Sequence, residues 1–164
     1  MIRGRIERLL GDDHARLDAL LARAAGDPSA YAEFRKGLLR HIGMEEKILL
    51  PAAQRARGGD PLPAAAKLRA DHGALAALLV PTPTPTILRA LRGILARHNA
   101  LEEGPDGVYA ACERLAGDEI DALVRALDAA AEVPVSPHVD SQLVMDATRR
   151  ALARAGYALE DFQE

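Results

Sequence analysis

RHIGMEEKILLP at residues 40–51 and RHNALEE at residues 97–103 decide the fold of this 164-residue chain. In both stretches a histidine stands four positions before the first of two glutamates. The pairs are His41 with Glu45 and His98 with Glu102. On an α-helix, positions i and i+4 share one face about 6 Å apart along the axis, so each pair can direct two donor atoms to one point. The pattern predicts two helices that each carry a chelating pair.

A duplication extends upstream of each pair. The matching segments are DDHARLDALL at 12–21 with ADHGALAALL at 70–79, and LLRHIGMEE at 38–46 with LARHNALEE at 95–103. Equivalent histidines stand 58 residues apart in the first match and 57 in the second, so the repeating unit is a two-helix hairpin. Two such hairpins predict a four-helix bundle.

The composition agrees with an all-α class. Apolar residues make up 49% of the chain, but there is no Trp and there are only three Tyr and two Phe. Ala, Leu, Val and Ile in this proportion favour closely packed helices over a β-sandwich. The length allows one domain with a sizeable core.

Helix starts are predicted where a capping residue precedes proline. These pairs are Asp27-Pro28, Asp60-Pro61, Thr84-Pro85 and Ser136-Pro137. The amphipathic segments run over 2–25, 28–57, 61–80, 85–103, 105–116, 118–132 and 138–155. We expect a metal-binding bundle over residues 1–132, with PTPTPT at 81–86 as a stiff spacer between its halves. Residues 133–164 are predicted to be a linker and a C-terminal helical extension that docks on the bundle or, in a homodimer, on a second copy.

Charge and cysteine usage exclude several classes of function. The net charge of −3, the pI near 6.0 and the absence of Lys/Arg blocks argue against a nucleic-acid partner. Cys112 is the single cysteine and is expected to be a small buried side chain in a reducing compartment. The N-terminal stretch turns polar too soon for a secretory signal, and no apolar run reaches the roughly twenty residues that cross a bilayer. We expect a cytoplasmic protein that does not bind membranes.

Six residues are predicted to be metal ligands at the centre of the bundle: His14, His41, Glu45, His72, His98 and Glu102. Any one of the histidines alone would be read as an ordinary core or surface residue, but their repetition argues against that. Burying this set without a metal would also carry a large desolvation cost. Four imidazoles do not suit Ca²⁺ or Mg²⁺, and six ligands exceed one tetrahedral Zn²⁺. Iron suits imidazole with carboxylate, while Mn, Zn, Ni and Cu stay open, and two ions fit better than one.

The paired HxxxE motifs and the two DHxxL stretches resemble the hemerythrin-like, or HHE cation-binding, family over about residues 5–132. The resemblance implies an up-down-up-down four-helix bundle around a non-haem di-iron centre. The implied cofactor is two iron ions with an oxo or hydroxo bridge, with Mn or Zn as alternatives. The same six residues are implied as ligands, and O2, NO or peroxide as the small ligand.

Two departures from the respiratory hemerythrins shift the expected function. Ala76 stands where those proteins carry a further third-helix histidine, and Glu102 at i+4 replaces an aspartate at a longer offset. A four-histidine site favours sensing, peroxide handling or iron binding over dedicated O2 transport. We expect a protein that binds or reacts with O2 or a related small ligand; the alternatives are an iron- or oxygen-responsive regulator and a di-iron peroxidase or oxidase. No motif assigns an enzymatic reaction.

Several neighbours of the six residues have open roles. Glu46 and Glu103 are read as hydrogen-bond acceptors for the ligands or as surface charges, and Asp18 as a weaker candidate ligand. Asp13 and Asp71 are read as surface residues, with the orientation of neighbouring groups or local capping as the alternatives. Phe34, Leu91 and Ile94 are predicted to line an apolar pocket around the metals, with plain core packing as an equal alternative, and His138 is predicted to be exposed. Gly104 and Pro105 should kink or break the fourth helix, either as a plain bend or as a gap that admits a small molecule.

Overall fold

All four duplicated segments are helical in the computed structural model, which describes residues 2–164. Eight α-helices occur there: α1 (Arg5–Arg23), α2 (Pro28–Met44), α3 (Leu50–Ala56), α4 (Ala65–Leu78), α5 (Pro85–Glu102), α6 (Val108–Ala116), α7 (Ile120–Asp128) and α8 (Gln142–Ala155). A π-helical turn, Glu45–Leu49, joins α2 to α3, and short 3-10 turns occupy Gly117–Glu119 and Leu159–Phe162. Residues 2–164 contain no strand, so the all-α prediction is confirmed.

Two of the four predicted helix starts are correct. The Asp27 carboxylate accepts a hydrogen bond from the Ala30 N–H at 3.1 Å, and the Thr84 hydroxyl accepts one from the Ile87 N–H at 3.2 Å. Each caps a helix whose first residue is proline, which has no N–H to leave unpaired. The last proline of PTPTPT therefore belongs to α5.

The other two predicted starts are wrong. After Asp60 the helix begins only at Ala65, because Pro63 disfavours a helical conformation at Leu62 and so prevents a start at Pro61. The last helix begins at Gln142 and is capped by the Ser141 hydroxyl, five residues later than expected from Ser136-Pro137. Residues 137–140 are instead held outside a helix, with the Val139 N–H donating to the carbonyl of Val80 at 3.1 Å.

The buried apolar side chains form two clusters. The first contains Leu17 and Leu21 of α1, Phe34 and Leu38 of α2, Leu75 and Leu78 of α4, and Leu91 and Ile94 of α5. The second contains Ile6 and Leu10 of α1, Met44 of α2, Leu68 of α4, and Tyr109 and Cys112 of α6. Each of the four histidine-bearing helices places its histidine at the junction of the clusters. Along the chain, α1 runs from the second cluster to the first, α2 returns and α4 runs as α1 does, while the buried apolar residues of α5 all lie in the first cluster.

The C-terminal extension packs on the helices rather than standing away from them. Helix α8 lies against α4, and Leu152, Tyr157 and Leu159 are buried in the first cluster. The segment between α7 and α8 is tied to α2 by Arg40, whose guanidinium donates to the carbonyls of Asp128 and Ala130. Residues 133–164 thus share a core with the preceding helices.

In the part of the chain that the structure describes, no helix combines the length and apolar character needed to cross a bilayer.

Candidate metal centre

The six predicted ligand residues converge at the junction of the two apolar clusters. Their side chains are buried, with relative exposures between 0% for Glu102 and 6% for His14. The histidines come from α1, α2, α4 and α5, one from each helix, while Glu45 is the first residue of the π-helical turn after α2 and Glu102 is the last residue of α5. The sequence placed these residues on inward faces, and the structure brings all six together.

Their donor atoms form two sets of four that share both glutamates. One set is His14, His41, Glu45 and Glu102; the other is Glu45, His72, His98 and Glu102. Within each set one ligand atom per residue lies within 4.8 Å of every other, which is compact enough to hold a metal ion. The arrangement is therefore suited to two adjacent ions.

The two oxygens of each glutamate point to different sets. Glu45 Oε1 lies 3.3 Å from His41 Nε2, whereas its Oε2 lies 2.9 Å from His72 Nε2. Glu102 Oε2 lies 3.2 Å from His14 Nε2, whereas its Oε1 lies 3.0 Å from His98 Nε2. Each carboxylate can thus bridge the two positions.

The backbone widens into a π-helical turn where Glu45 enters the site. The Leu50 N–H donates to the carbonyl of Glu45, five residues back, instead of four. Pro51 supplies the physical reason, because it has no N–H and its ring would clash with the carbonyl four residues earlier in a regular α-helix. The Leu-Leu-Pro end of the motif therefore changes the hydrogen-bonding pattern of the helix next to Glu45. The sequence pattern alone did not predict this change.

Each histidine hydrogen-bonds through its other ring nitrogen, Nδ1, to a carboxylate from a neighbouring helix. The pairs are His14 with Glu103 (2.5 Å), His41 with Asp13 (2.8 Å), His72 with Glu46 (2.7 Å) and His98 with Asp71 (3.2 Å). A neutral imidazole that donates through Nδ1 presents a lone pair on Nε2, and all four Nε2 atoms face the glutamates. These four carboxylates, the outer carboxylates hereafter, set the orientation of the imidazoles for metal binding.

The prediction that Asp13 and Asp71 are surface residues is wrong. Asp71 is fully buried and Asp13 is partly buried, so neither is a plain surface charge. The sequence does not reveal the hydrogen-bond partners of these aspartates, because each aspartate bonds a histidine on the following helix rather than its neighbour in sequence. Glu46 and Glu103 are hydrogen-bond acceptors, one of the two roles left open for them.

Three outer carboxylates are also paired with cations. Lys67 Nζ lies 2.6 Å from Asp71, a guanidinium nitrogen of Arg16 lies 2.8 Å from Asp13, and Arg69 Nε lies 3.3 Å from Glu46. All three cations are partly exposed. They offset the negative charge that the outer carboxylates bring to the centre.

The surrounding carboxylates raise the pKa of the buried histidines. Burial lowers the pKa of His41, but the charge of Glu45 and hydrogen bonds to Asp13 and Glu45 outweigh burial and raise it to about 10. For His98, burial is likewise outweighed, by the hydrogen bond to Asp71 and by the nearby carboxylate of Glu102, and the pKa rises to about 10. Burial raises the pKa of Glu45, yet His41 and His72 hold it well below its usual range. In the metal-free site, protons on the histidines balance part of the negative charge of these carboxylates, and a bound metal ion would take the place of those protons.

The predicted break after the fourth histidine-bearing helix is confirmed, and a cavity of about 310 Å³ that includes Gly104, Pro105 and Tyr109 in its lining lies beside it. Helix α5 ends at Glu102, Gly104 adopts φ +88°, and α6 begins at Val108. A Cβ on Gly107 would lie 2.4 Å from the carbonyl oxygens of Glu102 and Glu103, so only glycine fits this close approach. The turn directs α6 back along the site.

The side chain of Tyr109 on α6 enters the centre. Its hydroxyl donates to Glu45 Oε1 at 2.5 Å and lies 3.0 Å from Glu102 Oε2. It also lies 3.0 Å from His14 Nε2 and 3.4 Å from His41 Nε2. Burial and the two glutamate charges raise the pKa of the phenol well above 10. No sequence signal placed Tyr109 here, because the direction of α6 depends on the turn at 103–107.

Other candidates lie away from the donor sets. Asp18 is exposed at the edge of a cavity, and His138 is half-buried, with its ring stacked 6.1 Å from that of Tyr31. His138 is therefore less exposed than predicted. Cys112 is buried as predicted, and burial together with the charges of Glu45 and Glu102 raises its pKa to about 12.

A cavity of about 500 Å³ opens beside the donor sets. It is lined by all four site histidines and by the apolar side chains Leu17, Leu38, Leu75 and Leu95. Phe34, Leu91 and Ile94, which were predicted to line such a pocket, lie in the first apolar cluster instead. The histidine side of the centre is thus reachable through an apolar cavity, while Tyr109 lies on the glutamate side.

Comparison of the chain with protein-family models, curated proteins and solved structures finds no match.

Proposed function

We propose that this chain is a hemerythrin-like protein that holds two iron ions and binds or reacts with O2 or a related small ligand. The observation that carries the proposal is the pair of four-donor sets sharing Glu45 and Glu102. The ligands are the six residues named from the sequence. Mn or Zn would suit the same donors less specifically.

The proposed architecture is an up-down-up-down four-helix bundle made of α1, α2, α4 and α5. Its support is the passage of α1, α2 and α4 between the two apolar clusters in alternating directions, with α5 starting in the first cluster, where α4 ends. Contacts of α1 with α2, α4 with α5, and α1 with α5 agree with it. In such a bundle inward side chains from all four helices meet at mid-height, where the histidines lie.

The donor spacing fits two coordinated ions. Donors bonded at about 2.1 Å and at right angles to one another lie about 3 Å apart. The nitrogen–oxygen separations here are 2.9 to 3.3 Å. Glu102 Oε1 is buried and receives no hydrogen bond from any described residue, which an ion would remedy.

The charges also support two divalent ions. Glu45, Glu102 and the four outer carboxylates bring six negative charges, which four positive charges on the metals and the cations Lys67, Arg16 and Arg69 would nearly balance. A nearly balanced cluster reduces the cost of burying charge. One divalent ion would leave a net charge of −1 and two would leave +1, so the charge balance permits two ions, and the two donor sets favour two over one.

The cavity supports the proposed class of ligand. When bound, a pair of iron ions supplies redox chemistry toward small oxidants. The chain's own contribution is an apolar route to the histidine side of the centre, which favours small molecules of low polarity such as O2 and NO. Peroxide, which is small enough to use the same route, is the third candidate.

Iron content and spectra test the proposal. Protein loaded with ferrous iron under anaerobic conditions should contain two irons per chain and change its ultraviolet–visible spectrum when O2 is admitted. Glu45→Ala should lose both ions because Glu45 belongs to both sets, whereas His72→Ala should mainly lose one. His138→Ala is the matched control and should keep both. Equal iron content in all four proteins would overturn the assignment.

A regulatory role is the second candidate, favoured by a hydrogen-bonded link between the centre and the C-terminal extension. Lys67 Nζ donates to Asp71 at 2.6 Å, to the Ala155 carbonyl at 2.8 Å and to the Tyr157 hydroxyl at 3.3 Å. Asp71 in turn accepts from His98. A metal-dependent change at His98 can therefore reach the end of α8.

Limited proteolysis distinguishes this candidate from simple ligand binding. Cleavage within 133–164 should differ between iron-loaded and metal-free protein, and Lys67→Met should reduce the difference because it removes the link. Identical cleavage with and without iron would exclude the regulatory candidate while leaving metal binding intact.

A further inference from the structure

The hydroxyl of Tyr109 has an unusual set of neighbours. It lies 2.5 to 3.4 Å from one donor atom of each residue in the set of His14, His41, Glu45 and Glu102. It approaches these glutamates through Glu45 Oε1 and Glu102 Oε2, the oxygens that face His41 and His14. The phenol is therefore associated with one of the two metal positions.

The geometry resembles a vertex of a coordination polyhedron. An apical donor in a square pyramid is adjacent to all four basal donors, at about 3 Å from each when the bonds are about 2.1 Å. A phenol oxygen at roughly this distance from four donors occupies such an apex. Tyr109 is fully buried and is held in place by the tight turn at Gly107, so its hydroxyl is directed into the site by the fold.

We propose that Tyr109 is a fifth protein ligand, through its phenol oxygen, to the ion held by His14 and His41. This inference rests on the proposed metal-binding function and adds a ligand to it. Binding forms a metal–oxygen bond and breaks the phenol O–H bond, and the proton is released to solvent.

The consequence is that the two metal positions are chemically different despite the sequence duplication. The ion between His14 and His41 has five protein donors, one of them phenolate, whereas the ion between His72 and His98 has four. The anionic phenolate stabilises the ferric state of the first ion. Position 52, in the equivalent place of the first repeat, is alanine within α3, so the duplication offers no second tyrosine.

Resonance Raman spectroscopy of the ferric protein tests the proposal. A phenolate bound to ferric iron gives a visible charge-transfer band, and excitation in that band enhances phenolate ring modes that shift when ring-deuterated tyrosine is incorporated. We expect the band and the modes in the parent protein. Tyr109→Phe should lose both and keep iron at the His72 and His98 position.

Two further variants make the test specific. Tyr31→Phe is the matched control, because Tyr31 is equally buried and its hydroxyl contacts no hydrogen-bond partner among the described residues. It should keep the band. The double variant Tyr31→Phe/Tyr157→Phe leaves Tyr109 as the only tyrosine and should keep it too, which decides the matter even if Tyr109→Phe does not fold.

The outcomes separate this inference from the proposed function. Two ferric ions per chain without phenolate modes would overturn Tyr109 ligation alone and make the residue a hydrogen-bond donor to the glutamates. Absence of bound iron would overturn both proposals. Loss of the band in the double variant would also overturn the assignment to Tyr109.

Discussion

Glu103, just after α5, accepts a hydrogen bond from the Nδ1 of His14 on α1, and this contact closes a ring of carboxylate–histidine pairs around the site. The ring runs from α1 to α2, from the π-helical turn after α2 to α4, from α4 to α5, and from the end of α5 back to α1. A carboxylate on each helix, or in the turn at its end, therefore orients a candidate ligand histidine on the next helix of the ring. The repeated dipeptides Asp-His and Glu-Glu supply all four carboxylates.

Asp71→Asn should weaken iron binding about tenfold to a hundredfold with little change in the metal-free fold, because the amide still accepts a hydrogen bond but no longer carries the charge that strengthens His98 as a ligand. The measurement is a competitive titration with a metal chelator. Asp128→Asn, at an exposed position in α7, is the control and should bind as the parent does. Unchanged affinity in Asp71→Asn would show that the ring does not support the ligands.

Metal-free protein should be most stable between about pH 5 and pH 6.5. The pKa values of His41 and His98 rise from 6.5 to about 10 in the folded state, so their stabilisation is complete below pH 6.5 and is lost as pH rises through about 10. The pKa values of Asp13, Glu46 and Asp71 are lowered, so their contribution appears above their ordinary values of 3.8 to 4.5 and is lost as pH falls.

Thermal melts monitored by circular dichroism at pH 5.5, 7 and 9 check this pH dependence. Melting temperatures of chelator-treated protein should fall from pH 5.5 to pH 9. Iron-loaded protein should show a smaller decline, because the ions replace those protons and add folding free energy. A metal-free protein that melts higher at pH 9 than at pH 5.5 would contradict the assignment of raised histidine pKa values.

Leu95→Trp should slow the reaction with O2 by at least about tenfold while iron content stays at two per chain. Leu95 lines the cavity on the histidine side, so a larger side chain there obstructs the route without touching a ligand. Stopped-flow mixing of ferrous protein with O2 measures the rate. Leu143→Trp, at a residue that is 75% exposed on α8, should react at the parent rate. Equal rates for the two variants would mean that ligands enter by another route.

Gly107→Ala should destabilise the protein by about 3 kcal/mol, because the added Cβ overlaps the carbonyl oxygens of Glu102 and Glu103 and forces the turn to move. Gly73→Ala is a control of opposite sign: a Cβ there meets no atom of the described residues within 4 Å, and alanine favours a helix interior over glycine by about 1 kcal/mol. Urea denaturation measures both changes. Destabilisation of the two variants by similar amounts would contradict the close approach at Gly107.

The sequence by itself determined the four histidine-bearing helices, the capping residues Asp27 and Thr84, and the six donors. These features are local: i and i+4 share a helix face, Asp27 and Thr84 cap the turns that directly follow them, and the duplication places equivalent residues in equivalent helices. A local pattern also predicted the break at Gly104, since proline and glycine interrupt a helix wherever they stand.

Only the tertiary structure decided the partners across helices. Asp13 contacts His41 and Tyr109 reaches His14 because helix packing and the turn at 103–107 bring together residues 28 and 95 positions apart. The late start of α8 has the same kind of cause, since the hydrogen bond from Val139 to Val80 holds the residues before α8 outside a helix. Periodicity describes one helix at a time, and the angle at which one helix meets the next is set by the packing of side chains from both.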